Sequence, residues 1–155
     1  VSLLLSKSGY NVTAADLSPA MIKIATDAME AARASVTVHH RDIEALDYNP
    51  QSFDSVICFR LFHHFPSPEI RARAVAELCR VARRHVLISY FSPWSFTGMK
   101  RTFQQRCFGK AQKKFHTRLP EVTAYFEANR FKLVGDFAQL PLIHTLHLAV
   151  FERES

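Results

Sequence analysis

Asp16 closes the short run Asn11-Val12-Thr13-Ala14-Ala15, which reads as a β-strand, and Ser18-Pro19 just beyond it reads as the start of a helix. Ser18 can cap that helix, and Pro19 suits its first turn, where the missing N–H would be unpaired anyway. A carboxylate at the carboxyl end of a parallel strand faces the crevice in which open α/β sheets hold ligands. Its two oxygens can accept both hydroxyls of a ribose, which calls for a nucleoside-containing cofactor. The same position also suits an acid stabilised by the dipole of the following helix. The run alone weighs the two readings equally.

His63-His64 offers ring nitrogens for metal ligation or for taking a proton. Adjacent histidines on a loop point in different directions, and no Cys or acid stands at ligand spacing, so no metal is expected. General-base work on a hydroxyl is the weaker alternative for this pair. Cys58, Cys79 and Cys107 are an odd number without metal-ligand spacing, as suits reduced thiols in a cytoplasmic protein.

The elements that must position these residues follow from periodicity. Residues 1–8 read as the end of a helix with Gly9 as its C-terminal cap. A strand at 11–15 precedes a helix at 19–34, with Met21, Ile24, Ala25, Ala28 and Ala32 along one face. A second strand at 36–40 ends at Arg41-Asp42, and a polar connection fills 43–52. Residues 55–59 form a strand of continuous apolar character, expected to be buried on both faces. A loop at 60–66 leads to a helix from Ser67-Pro68 to about Arg84, then to a strand at 85–90. A helix at 119–129 and two strands at 131–139 and 144–152, joined at Leu140-Pro141, end the chain. Strands alternating with helices predict a mostly parallel, doubly wound sheet, with the terminal pair adding one antiparallel strand.

The 155 residues, 48% hydrophobic and 22% charged, suit one globular domain with a real core. No apolar run is long enough to span a bilayer. Residues 1–5 are apolar but lack the charged leader and cleavage site of a signal peptide.

Three further blocks join Asp16. Val12-Thr13-Ala14-Ala15-Asp16-Leu17-Ser18-Pro19-Ala20-Met21 resembles the second-strand region of class I S-adenosylmethionine-dependent methyltransferases, of the type 11-like domain. Arg41-Asp42-Ile43-Glu44-Ala45-Leu46-Asp47-Tyr48 is similar to the end of that family's third strand. Phe53-Asp54-Ser55-Val56-Ile57-Cys58-Phe59-Arg60-Leu61-Phe62-His63-His64-Phe65 resembles its fourth-strand motif. Glu77-Leu78-Cys79-Arg80-Val81 and Val86-Leu87-Ile88-Ser89 resemble the helix and strand that follow. The blocks stand in the family's order and spacing over about residues 1–91.

The resemblance implies a Rossmann-like α/β fold and S-adenosylmethionine as cofactor. Asp16 would meet the ribose, Leu17 and Met21 the adenine ring, and Asp42 the adenine amino group with the Ile43 N–H beside it. Phe59, Arg60 and Leu61 would lie near the methionine end. The family's Lys-Pro-Gly-Gly turn is replaced by Ala82-Arg83-Arg84-His85, a shorter and more basic link. The family's first strand and Gly-x-Gly turn are also absent, and no two of Gly9, Gly98, Gly109 and Gly135 form such a motif. Because that strand is central in the family's sheet, its neighbours at 11–15 and 55–59 are expected to lack a ladder partner. With Val1 in place of a Met, the sequence reads as a fragment, a single partial domain over 1–155.

Residues 92–118 carry seven basic side chains and no acid, leaving 13 basic against 14 acidic residues elsewhere, so this segment accounts for the net charge of +6. Phe96, Met99, Phe103, Cys107, Ala111 and Phe115 recur at helical spacing, which predicts a basic amphipathic insertion. A surface helix with solvated lysines explains it equally well. By the resemblance it lies where family members cover the substrate, with Trp94, Lys100, Arg101 and Arg106 as cover residues. Such a cover suits an anionic acceptor or peripheral contact with an anionic membrane. Nucleic acid ranks lower, because the aromatic residues lie on the apolar stripe.

The expected function is therefore methyl transfer from S-adenosylmethionine to a small-molecule or lipid-like acceptor, by in-line displacement that depends mainly on alignment. The alternative is a catalytically inactive binding protein acting through the basic helix. An NAD-dependent dehydrogenase shares the ribose carboxylate but lacks a glycine fingerprint and ranks last.

Overall fold

A computed structural model describes residues 1–92, 115–138 and 146–154, which group into two compact units, 1–47 and 48–155. In the first unit, α1 (Ser2–Lys7) ends in a tight reversal. Gly9 takes φ +87°, the Gly9 N–H reaches the Ser6 carbonyl at 3.0 Å, and the Tyr10 N–H reaches the Leu5 carbonyl at 3.2 Å. This pair of reverse bonds makes Gly9 the expected cap. β1 (Val12–Asp16) and β2 (Val36–His40) pair in parallel, from Val12 opposite Val36 to Asp16 opposite His40. Between them lies α2 (Pro19–Ala31), capped by Ser18, whose hydroxyl accepts from the Met21 N–H at 3.4 Å.

The residues expected along one face of α2 differ in exposure. Met21 and Ile24 are 50% and 61% exposed, whereas Ile22, Ala25, Met29 and Ala32 are half-buried. An alanine-rich helix has two apolar faces, so the period does not choose between them. None of residues 1–47 is fully buried.

The second unit holds a four-stranded sheet in the order β3-β4-β6-β5, comprising β3 (Phe53–Cys58), β4 (Ala82–Phe91), β5 (Phe131–Ala138) and β6 (Leu146–Arg153). β3 runs parallel to β4, and β6 is antiparallel to both β4 and β5. The mixed α/β sheet with one antiparallel strand is the one expected. Among the described residues β1 pairs only with β2 and β3 only with β4, so each has an open edge, also as expected.

Burial of 55–59 on both faces is corrected. Cys58 is buried, but Ser55 is exposed and Ile57 is 37% exposed. β3 is an edge strand, and the sheet face bearing Ile57 and Phe137 has no helix on it within the described part of this unit. The opposite face bears Val86, Ile88 and Phe151 and is covered by α3 (Pro68–Val81) and α4 (Leu119–Glu127). Phe126 of α4 stacks on Phe151 with ring centroids 3.8 Å apart and planes 6° apart. Arg71 ties the two helices together, donating to the Phe65 carbonyl at 3.0 Å and pairing with Glu121 at 3.0 Å.

The helix expected to reach Arg84 stops at Val81, and β4 begins at once at Ala82. The supposed link 82–85 is thus strand. Arg153 donates to the Cys79 carbonyl at 2.6 Å, which the helix end leaves open, and to the Ala82 and Arg83 carbonyls at the start of β4 at 2.8 Å and 3.2 Å. Arg83 meanwhile pairs with Asp54 on β3 at 2.8 Å.

Candidate cofactor-binding site

In the first unit the parallel register brings Asp16 and Asp42 to one end of the β1–β2 pair. The Arg41 N–H donates to the Asp16 carbonyl at 3.1 Å and extends the ladder past the strands. His40 Nε2 meets the Leu17 carbonyl at 2.9 Å. Each aspartate is held by the same local device, in which a side-chain oxygen accepts the N–H two residues on. Asp16 Oδ1 accepts from Ser18 at 2.8 Å, and Asp42 Oδ1 accepts from Glu44 at 2.9 Å.

Both carboxylates are exposed, and each keeps a second oxygen that no described residue bonds. The two readings of Asp16 are therefore compatible. One oxygen orders the entry to α2, and the other is bonded by no described residue. Leu17 and Met21 stand beside it as exposed apolar side chains, and Ile43 lies in the turn from Asp42 to Ala45. Carboxylate oxygens flanked by open apolar surface fit the polar rim and flat ring of a nucleoside.

In the second unit β3 is followed by an exposed Phe59, and Arg60 takes φ +59°, a conformation that costs a non-glycine residue about 1 kcal/mol or more. The Arg60 N–H donates to Ser89 Oγ of β4 at 2.6 Å, which holds this turn. Residues 60–66, expected as a loop, contain a 3-10 turn at Phe62–His64. His63 is 2% exposed, with its ring 4.1 Å from that of Phe91 and 4.2 Å from that of His64, so it packs the turn while His64 is exposed. Trp94, Lys100, Arg101 and Arg106, and most of the basic segment, lie outside the described residues.

Among the described residues, no group of three His, Cys, Asp or Glu side chains could hold a metal ion, and no helix is long and apolar enough to cross a membrane. The sequence reading missed Ser89, and it missed Tyr90, Asp136 and His147, which meet at the carboxyl end of the second sheet. Their only signal is a polar side chain within an apolar strand.

The fold is that of class I S-adenosylmethionine-dependent methyltransferases. The magnesium protoporphyrin IX methyltransferase of Synechocystis, solved with bound SAH, superposes with a TM-score of 0.84 at 18% identity, over 99% of this chain and 68% of that one. A SAM-dependent methyltransferase from Methanosarcina mazei gives 0.80 at 18% identity, over 99% and 86%. The profile of the methyltransferase domain family matches residues 1–85, and the chain belongs to that family.

In sequence the chain is 31% identical over 80 residues to the ubiquinone biosynthesis O-methyltransferase of Coxiella burnetii, which covers 52% of this chain and 34% of that protein. It is 34% identical over 83 residues to the protein of the same name in Xanthomonas campestris, again covering 52% and 34%. The chain thus spans about a third of the length of the curated relatives it matches.

Proposed function

We propose that this chain contributes the nucleoside-reading edge and the acceptor side of an enzyme that transfers a methyl group from S-adenosylmethionine to a small molecule. The observation that carries the reading is the pair Asp16 and Asp42, at and just beyond the carboxyl ends of adjacent parallel strands, each exposed with one oxygen tied to the backbone and one that no described residue bonds. When bound, S-adenosylmethionine supplies a methyl group on a sulfonium sulfur. Asp16 accepts the ribose hydroxyls, Leu17 and Met21 cover the adenine ring, and Asp42 accepts its amino group beside the Ile43 N–H. By the family resemblance alone, Phe59 and Arg60 would serve the methionine end.

Displacement at a methyl carbon depends on alignment more than on acid–base power, so rigid placement of these residues is the main contribution. The relatives' names support a small-molecule acceptor, since one group serves ubiquinone biosynthesis and another protein methylates magnesium protoporphyrin IX. The basic segment around Lys100, Arg101 and Arg106 supports an anionic acceptor, with Trp94 in the cover and peripheral membrane contact as its extension.

The test is calorimetric titration of the chain with S-adenosylhomocysteine, with 5′-methylthioadenosine and its guanine counterpart as competitors. Binding that the adenine compound displaces and the guanine compound does not is expected. Absence of binding, or equal displacement by both, would overturn the reading.

A further inference from the structure

Three titratable side chains from three strands converge at the carboxyl end of the second sheet. Tyr90 of β4 lies directly opposite His147 of β6, and Asp136 of β5 lies opposite Ala149, two residues along β6 from His147. Opposed residues share a sheet face, as do residues two apart on one strand, so all three point to the same side. The Tyr90 hydroxyl donates to Asp136 Oδ1 at 3.1 Å, and His147 Nδ1 meets Asp136 Oδ2 at 2.8 Å.

This meeting depends on an irregularity. The register of β5 shifts between Leu133 and Gly135, placing one extra residue against β6. In an unbroken strand Phe131, Leu133, Gly135 and Phe137 would share a face, with Asp136 on the other. The bulge reverses the alternation, so Phe137 is left 62% exposed while Asp136 turns in beneath His147. Bulges re-aim side chains in this way, often next to active sites. Here a large aromatic residue is left in solvent and a carboxylate is brought under an imidazole.

The arrangement fixes the chemistry of the ring. An ionised Asp136 accepts at both oxygens, which puts the proton on His147 Nδ1 and the lone pair of the neutral ring on Nε2. No described residue bonds Nε2, and about a fifth of the side chain is exposed. Burial first, and then the Asp136 charge and hydrogen bond, push the Tyr90 phenol above its usual range and keep it a donor. The carboxyl ends of β3, β4 and β5 are where open α/β sheets take ligands.

We propose that His147, oriented by Asp136 and Tyr90, is the base that receives the proton of a phenolic or enolic hydroxyl when that oxygen is methylated. The inference rests on the methyltransferase reading above and assigns oxygen as the accepting atom. The acceptor O–H bond breaks, its proton goes to Nε2, and its electron pair stays on oxygen. That oxygen forms a bond to the methyl carbon as the carbon–sulfur bond breaks, and the second pair remains on sulfur as a neutral thioether. Asp136 balances the resulting imidazolium. Imidazole reaches a phenol, whose acidity resembles that of tyrosine near pH 10, far more readily than an alkyl alcohol.

Two measurements test this on the full chain. In histidine labelled with nitrogen-15, long-range proton–nitrogen spectra should show the neutral His147 ring protonated at Nδ1, a preference that Asp136→Ala removes. A ring protonated at Nε2 in the unaltered protein would overturn the proposal without any turnover being needed. With S-adenosylmethionine present, catechol and 4-nitrocatechol serve as acceptor probes. His147→Gln should slow catechol methylation about 100-fold or more, leave S-adenosylhomocysteine affinity unchanged, and slow the already ionised nitrocatechol far less. Equal losses for both acceptors, or no loss, would sink the base assignment. Failure of the unaltered protein to bind S-adenosylhomocysteine would count against the methyltransferase reading, and the spectra would still decide the geometry of the base.

Discussion

Asp16 and Arg41 are joined through the backbone, with the Arg41 N–H donating to the Asp16 carbonyl at 3.1 Å, so the carboxyl ends of β1 and β2 stay level. The Asp16 side chain is thereby free of sheet duty. Its Oδ1 serves Ser18, and its other oxygen serves the proposed ribose.

These two roles separate by substitution. Asp16→Asn keeps an oxygen for the Ser18 N–H but replaces the second acceptor with an amide donor and removes the charge. A hydrogen bond to a charged group contributes about 1.5–3 kcal/mol, so calorimetry should show S-adenosylhomocysteine binding roughly 10- to 100-fold weaker, with thermal stability little changed. Asp16→Ala should weaken binding similarly and lower stability by a further ~1 kcal/mol. Unchanged affinity in Asp16→Asn would leave Asp16 as a structural residue only.

Phe126 and Phe137 test the bulge in β5. Phe126 is fully buried against Phe151, whereas Phe137, which an unbroken alternation would turn inward, is mostly exposed. Denaturant unfolding should place the cost of Phe126→Ala at about 3–5 kcal/mol and that of Phe137→Ala within about 0.5 kcal/mol. A cost of several kcal/mol for Phe137→Ala would mean that β5 lacks the bulge.

Arg153 closes the end of α3 by donating to three carbonyls, and its guanidinium lies 4.6 Å from the centre of the Phe131 ring. Arg153→Met keeps much of the apolar stem but leaves those carbonyls without their donor, which should cost about 1–3 kcal/mol in denaturant unfolding. Arg153→Lys should recover only part of this, because a single ammonium does not reproduce the planar fork.

The legible parts of the sequence were those set by local chemistry. Gly9, Ser18-Pro19 and Ser67-Pro68 mark helix ends through caps that act over three or four residues, and each marks an observed end. The open edges of β1 and β3 followed from the family resemblance, because the strand that is central in the family's sheet is absent from the sequence. The inward face of α2 was not legible because alanine fits either side. The end of α3 depended on Arg153, more than seventy residues away in the chain. The Tyr90–Asp136–His147 cluster was hidden for two reasons. A single extra residue in β5 reverses which side chains turn inward, and the register of β6 against β4 is a long-range pairing that no local pattern encodes.

The two described thiols set a limit on stability at alkaline pH. Burial pushes Cys58 up from 9.0 to about 12, against a smaller opposing effect of the Phe62 backbone bond. Burial likewise pushes Cys79 up from 9.0 to about 12, against a smaller pull from the Arg153 charge. From pH 9 upward the unfolded chain releases protons that the folded chain keeps until about pH 12. The unfolded state therefore binds fewer protons in that window, and stability falls as pH rises, by at most about 1.4 kcal/mol per pH unit for each thiol. The contribution is fully present below pH 9 and is lost as pH rises through the folded-state value. Denaturant unfolding at pH 8, 9.5 and 10.5 should show this decline, and the double substitution Cys58→Ala with Cys79→Ala should make it shallower. Tyr90, raised in the same direction, keeps part of the slope in place. Iodoacetamide at pH 8.5 should label Cys58 and Cys79 only after unfolding, and rapid labelling of either in the native protein would show that its burial is wrong.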